Sequence, residues 1–291
     1  MADLDPLLAR AERLLDRLEH WLPAPPPPPD WTRVHAARWR PQGERSHLQV
    51  VARPHRLRLR DLQCIDRQKA LIERNTRQFL AGLPANNVLL WGPRGTGKSS
   101  LIKALLNEFA DTGLRLIEVD KADLVHLPDI VEPIAGLPQR FLLYCDDLSF
   151  EADDGSYKAL KAVLDGSIST APDNLLIYAT SNRRHLLPEF QAENQQSRLV
   201  DGELHHGEAV EEKVSLSERF GLWLAFHPFS QDDYLAIVDH WLRVLGHPDG
   251  ACGETRRAAL QWALRRGSRS GRVAWQFARD CIGRRQLGDE S

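Results

Sequence analysis

The residues best able to do chemistry lie in three short stretches. GPRGTGKSS, residues 92–100, places Gly92, Gly97, Lys98 and Ser99 at the spacing G-x-x-x-x-G-K-[ST]. Glycines let backbone N–H groups curl around phosphate oxygens, and the N-terminus of a following helix adds partial positive charge. Lys98 is then placed for the β- and γ-phosphates, and the Ser99 hydroxyl for Mg²⁺. Pro93, Arg94, Gly95, Thr96 and Ser100 complete the loop as candidate nucleotide contacts. The spelling alone separates neither ATP from GTP nor a kinase from a hydrolase. The second stretch is YCDDLSFE, residues 144–151, where Asp146 and Asp147 close the apolar run FLL. Burying a charge is costly unless something pairs with it. The Mg²⁺ of a phosphate loop is such a partner, so Asp146 is expected to hold the ion, usually through water. Asp147 would lie beside the water that attacks the γ-phosphate. The plainer alternative is a strand that ends in an acidic loop. The third stretch, LLIYATSN, ends at Asn182. A neutral amide at a strand's C-terminal edge can orient a water or sense the γ-phosphate; Ser-Asn is also an ordinary turn.

These stretches need elements to hold them. NVLLW (87–91), RLIEV (115–119), FLLYC (141–145), LLIYA (175–179) and LWLAF (222–226) are short apolar runs, most of them separated by helical segments such as 98–110 and 156–166. That alternation predicts an α/β domain over 61–228, with a five-stranded parallel sheet covered by helices on both faces. A helix is expected over 66–81. From about residue 230 the strands stop, and helical patterns over 231–245, 254–266 and 271–285 predict a small lid domain over 229–291. Residues 189–213 are polar and Gly-containing. They read as an insertion that orders on an interface or a substrate, or equally as an exposed loop.

The N-terminal 60 residues are different. Residues 4–22 repeat Leu, Ala and Trp at helical spacing, which makes 1–22 an amphipathic helix that docks on its own core or on a neighbouring subunit. PAPPPPPD, residues 23–30, is a stiff polyproline spacer. Residues 31–60 hold eight Arg against one acid, Glu44. This basic segment suits a phosphate backbone or an acidic partner, or else forms a solvated strand face. The whole chain carries a net charge of −2, so it is no general polycation. Its four Cys are scattered without a CxxC pair, which argues against a disulfide framework or a zinc site and for a reducing, cytoplasmic setting. No apolar run reaches membrane length, so no membrane insertion is expected.

These parts, in this order, resemble the AAA+ ATPases. GPRGTGKS looks like the Walker A segment, LLYCDD like Walker B and ATSN like sensor 1. SLSERFGLWLAF, residues 215–226, is similar to the segment that carries an arginine finger, which makes Arg219 the candidate. SGRVAWQF, residues 270–277, resembles sensor 2, with Arg272 as its arginine. The resemblance covers about residues 60–285. The run from CIDRQKALIERNTRQFLAG through DKADL, together with LLYCDDLSFE, ATSNRRHLLPE and SERFGLWLAF, also resembles a bacterial AAA+ family known as a domain of unknown function.

The resemblance implies ATP and Mg²⁺, a homo-oligomer closed as a ring or wound as an open helix, and a protein or nucleic-acid client. Arg219 of one subunit would complete the site of the next, an effect worth roughly 10³–10⁵ in rate in other phosphate-loop enzymes. Two departures from the AAA+ pattern stand out. DLQCIDRQ has Cys64 where a small Gly is usual, although Ile65 remains as a base contact. Asp147 stands where many AAA+ enzymes have Glu. DnaA-type initiators and some helicase loaders share Asp-Asp and are typically slow ATPases that use ATP to set assembly state. The expectation is therefore a slow, Mg²⁺-dependent ATPase that remodels or loads a macromolecule. An ATP-gated assembly switch and a nucleic-acid-loading factor using residues 31–60 are the alternatives.

Overall fold

The computed structural model describes residues 26–43, 45–149, 155–165, 172–182, 198–200, 203–205, 217–247 and 250–287, with Arg10 in addition. The expected helix over 1–22 otherwise lies outside the described residues, as does most of 189–213. In chain order the strands and helices begin with β1 (Ala36–Arg40), β2 (His47–Val50), α1 (Asp66–Leu80), β3 (Val88–Trp91), α2 (Lys98–Phe109) and β4 (Leu114–Glu118). Next come α3 (Leu127–Val131), β5 (Arg140–Cys145), α4 (Gly155–Asp165), β6 (Leu175–Ser181), β7 (Arg198–Val200) and β8 (Glu203–His205). The last are β9 (Leu222–Ala225), α5 (Gln231–Val244), α6 (Gly253–Arg265) and α7 (Gly271–Leu287). Short 3₁₀ turns join several of them.

The central strands read as unbroken apolar runs because both of their faces are buried. In β5, Phe141, Leu143 and Cys145 pack into one hydrophobic cluster, while Leu142 and Tyr144 point into the other. Strand β6 alternates the same way, with Ile177 and Ala179 opposite Leu176 and Tyr178. The cluster of Leu142 and Tyr144 also takes in α1, α2 and the C-terminal helices, so those helices and the sheet share one core.

The sheet order is β2-β1-β4-β5-β6-β3-β9. The five expected strands are the parallel run β4-β5-β6-β3-β9. The sheet has seven strands rather than five, because the basic segment adds two. β1 pairs in parallel with β4, and β2 closes the edge antiparallel to β1. Alternating polarity concealed them: Ala37 and Trp39 face the core, while Arg38 and Arg40 take the other side. Arg38 pairs with Glu118 at 2.8 Å, and Arg40 donates to Gln49 at 2.8 Å. The described part of the 189–213 stretch is the antiparallel pair β7–β8.

Two anchors fix the start and the middle of the chain. Buried Arg115 donates to the Trp31, Ala110 and Leu114 carbonyls at 2.7–2.8 Å, and Trp31 packs edge-on against Phe141 at 5.0 Å. The chain leaving the proline run is thus tied to the sheet. Asn75 and Thr76 of α1 both reach the buried Tyr178 hydroxyl, at 3.0 and 2.9 Å. Helix α5 starts with a capping box, in which Ser230 Oγ accepts from Asp233 N and the Asp233 carboxylate accepts from Ser230 N. Among the described residues, no helix is long and apolar enough to cross a membrane.

Candidate functional site

The site is built where β3, β5 and β6 end, at the carboxyl edge of the sheet. Ligands of open α/β sheets sit at such an edge. Strand β3 runs into the phosphate loop, which turns three times through positive φ: Gly92 at 139°, Gly95 at 78° and Gly97 at 100°. A side chain on Gly92 would strike the Phe226 carbonyl at 2.2 Å, and one on Gly95 would strike Ser270 at 2.7 Å. The glycines therefore serve the turn and also two close approaches. Gly97 leads directly into α2, so the loop is followed by a helix N-terminus.

Lys98, the first residue of α2, is buried. Its ammonium donates to the carbonyls of Gly92 (2.6 Å) and Pro93 (2.8 Å) and to Asn182 Oδ1 (3.2 Å), which accounts for all three donors. Burial pushes its pKa below the ordinary value, against the opposing pull of Asp146 and Asp147. Ser99 Oγ donates to Asp146 Oδ1 at 2.7 Å, and Thr180 Oγ1 donates to the same oxygen at 2.6 Å. Burial opposes ionisation of Asp146, but these two donors help hold its carboxyl below the usual range. Asp147 is anchored by its backbone N–H, which donates to Thr180 Oγ1 at 2.9 Å. Its side chain accepts from Asn182 Nδ2 on one oxygen and from Arg94 at 3.0 Å on the other. Arg94, Asp147, Asn182 and Lys98 thus form one continuous hydrogen-bonded chain.

A cavity of about 750 Å³ opens beside them. Arg94, Gly95, Thr96, Gly97, Lys98, Ser99, Ser100, Asp146, Asp147 and Asn182 line it, with Ile65 and Arg272 set against the loop. Gly92 and Pro93 stand behind the wall and act through their carbonyls. Ile65 is buried, its Cδ1 facing Gly97, and Cys64 before it adopts φ 60°, a conformation that glycine favours. Ser270 and Gly271 place α7 against the loop, with Gly271 N donating to Gly95 O at 2.9 Å. Arg219 is on the turn before β9 and does not line the cavity.

Several wall residues went unread in the sequence. Thr180 is two residues before Asn182 on the same strand face, a signal that strand alternation could have given. Trp241 of α5 and Trp275 of α7 pack edge to face at 4.5 Å and line the cavity, with Ile237 and Leu62. They lie 34 residues apart on separate helices, so no local pattern joins them. His55 and Arg56 also line it.

The residues fit a Mg²⁺-nucleotide. The Ser99 hydroxyl and Asp146 carboxylate are oxygen donors of the kind Mg²⁺ accepts. The left-handed glycine turns and the α2 N-terminus form a cradle for phosphate. Apolar and aromatic side chains, Ile65, Ile237, Trp241 and Trp275 among them, also line the cavity.

The mostly parallel sheet, the phosphate loop at its carboxyl edge and the C-terminal helices give the chain a phosphate-loop α/β fold. The chain belongs to the family described as "Protein of unknown function (DUF815)", whose model matches residues 32–285. It is also similar, at 33% identity over 97 residues, to the replication factor C large subunit of Ignicoccus hospitalis, covering 29% of this chain and 20% of that protein. An uncharacterized ABC transporter ATP-binding protein of Synechocystis is 38% identical over 85 residues, covering 29% of this chain and 13% of that one. The chain therefore spans only a fifth or less of these relatives. Among solved structures, the Thermotoga maritima RuvB Holliday junction branch migration motor aligns at 16% identity and TM-score 0.47, over 77% of this chain and 63% of that one.

Proposed function

We propose that the protein is a Mg²⁺-dependent ATPase whose nucleotide site is completed by a second copy of the chain, and that turnover remodels or loads a macromolecular partner. The observation that carries this reading is the hydrogen-bonded chain Lys98–Asn182–Asp147 beside the Ser99–Asp146 pair, all on one cavity wall. Lys98 and the loop N–H groups bind the β- and γ-phosphates. Ser99 and Asp146 hold Mg²⁺, which neutralises phosphate charge when bound. Asn182 orients the attacking water and Asp147 accepts its proton. Ile65, Trp241 and Trp275 enclose the base. Arg272 reaches the nucleotide from the lid, so lid angle follows nucleotide state. Arg219, standing off its own cavity, acts on the neighbouring subunit's nucleotide. In domain terms, residues 61–228 bind ATP and 229–291 form the lid.

ATP hydrolysis measured against protein concentration tests the shared site. Specific activity should rise with concentration in wild type and stay low in Arg219→Ala. Equal specific activity at every concentration, with Arg219→Ala unchanged, rejects it. A second reading, a nucleotide-gated assembly switch, is favoured by the Asp147 carboxylate, both of whose oxygens are already bonded within the chain. Single-turnover hydrolysis separates the two: matching rates for wild type and Asp147→Asn support the switch.

A further inference from the structure

The arginine excess of residues 31–60 divides in the folded chain. Arg38 and Arg40 are engaged at the sheet edge. Arg53, Arg56, Arg58 and Arg60 are exposed, and among the described residues none of the four forms an ion pair. They lie on a strap along α2. Leu57 and Leu59 turn inward, 8% and 9% exposed, so the alternating arginines turn outward. Asn107 of α2 donates to the His55 and Leu57 carbonyls at 2.6 Å each, and Arg58 N donates to Asp61 at 2.9 Å. The strap is therefore a fixed surface with its charges held out.

Three exposed arginines elsewhere pair with an acid four residues away: Arg77 with Glu73, Arg243 with Asp239, Arg284 with Asp280. Residues 45–60 contain no acid at all. The strap is therefore a local run of positive charge with no acid inside it, a surface suited to an external anion.

We propose that this strap binds the phosphodiester backbone of a nucleic acid. Arg56 and Arg58 are alternate residues of an extended stretch, about 7 Å apart, and Arg60 follows in the 3₁₀ turn Leu59–Asp61, so three cations fall within a short span that suits a polymer of repeated charges. All of them are arginine, whose planar fork matches phosphate. The strap also reaches the nucleotide cavity, where His55 and Arg56 form part of the wall. The backbone contact stands without the ATP reading.

The test is fluorescence anisotropy with labelled single-stranded and duplex oligonucleotides across a salt series, using wild type and the triple variant Arg53→Ala, Arg58→Ala, Arg60→Ala. Arg56 is kept because it lines the cavity. Wild type should bind at low salt with affinity falling linearly in log[salt]. The triple variant should bind at least tenfold more weakly, with a slope shallower by about 2–3, since each lost phosphate contact removes roughly 0.7–0.9. Mg·ATP affinity, measured alongside, should be the same in both proteins, which separates loss of the strap from failure of the nucleotide site. Absence of oligonucleotide binding at low salt, or equal binding by both proteins, overturns the proposal. So does a variant that keeps oligonucleotide affinity and loses only binding to polyglutamate, which assigns the strap to an acidic protein.

Discussion

Asp147 holds φ at 52° and Cys64 holds φ at 60°, a region most side chains avoid. Both are placed there by neighbours. Thr180 fixes the Asp147 amide, and α1 begins directly after Ile65. Asp tolerates this conformation, as does Asn. Asp147→Asn should therefore keep the fold and lower single-turnover hydrolysis by roughly 10²–10⁴, the usual contribution of a positioned base. At Cys64 the expectation is graded. Cys64→Gly should unfold near the wild-type denaturant midpoint, whereas Cys64→Val should cost about 1–2 kcal/mol, because a β-branched residue resists φ near +60°. The sequence comparison flagged position 64 as a missing glycine, and the left-handed backbone gives the reason. It could not show that Asp147 is held on both oxygens, because Arg94 and Asn182 are 53 and 35 residues away.

Between elements, one close joint is α7 against the phosphate loop. A methyl on Gly95 would lie 2.7 Å from Ser270 Cβ and 2.8 Å from its Oγ. Gly95→Ala should push α7 off the loop, lower stability by roughly 1–3 kcal/mol and weaken Mg·ATP binding; chemical denaturation and calorimetric titration read the two effects. The other joint is Thr180, 1% exposed, which serves Asp146 and Asp147 together. Thr180→Val keeps the shape, leaves the Asp147 N–H without its acceptor and takes one of two donors from Asp146, so a loss of about 1–3 kcal/mol is expected in the same denaturation assay. Helix and parallel-strand positions were legible from apolar periodicity, since each run is long enough to show its period. The edge strands β1 and β2 were not, because arginines on their outer side made them read as a charge run. The pairing of Trp241 with Trp275 was equally hidden, since it depends on how α5 and α7 cross.

For the whole molecule, ionisation sets an alkaline limit. Burial pushes the Tyr178 and Tyr234 hydroxyls up to about 12 and the Cys64 thiol up to about 11. Each raised group binds its proton more tightly in the folded chain than in the unfolded one. The stability it contributes is complete below the unfolded pKa and is lost as pH rises through the folded one. The denaturation midpoint should hold to about pH 9 and fall between there and pH 12, as circular dichroism melts will register. The opposite sign applies to Asp146, whose lowered pKa contributes stability above the ordinary carboxylate range and loses it in acid. All of these contributions support a cavity whose walls come from the strap, the sheet edge and the lid together, and its central assignment is to a Mg²⁺-nucleotide. The most direct test is calorimetric titration of Mg·ATP into wild type and Lys98→Ala, each first shown to be folded by thermal denaturation. Saturable binding by wild type and at least a hundredfold loss in Lys98→Ala is the predicted result. Equal binding by the two folded proteins would contradict the assignment.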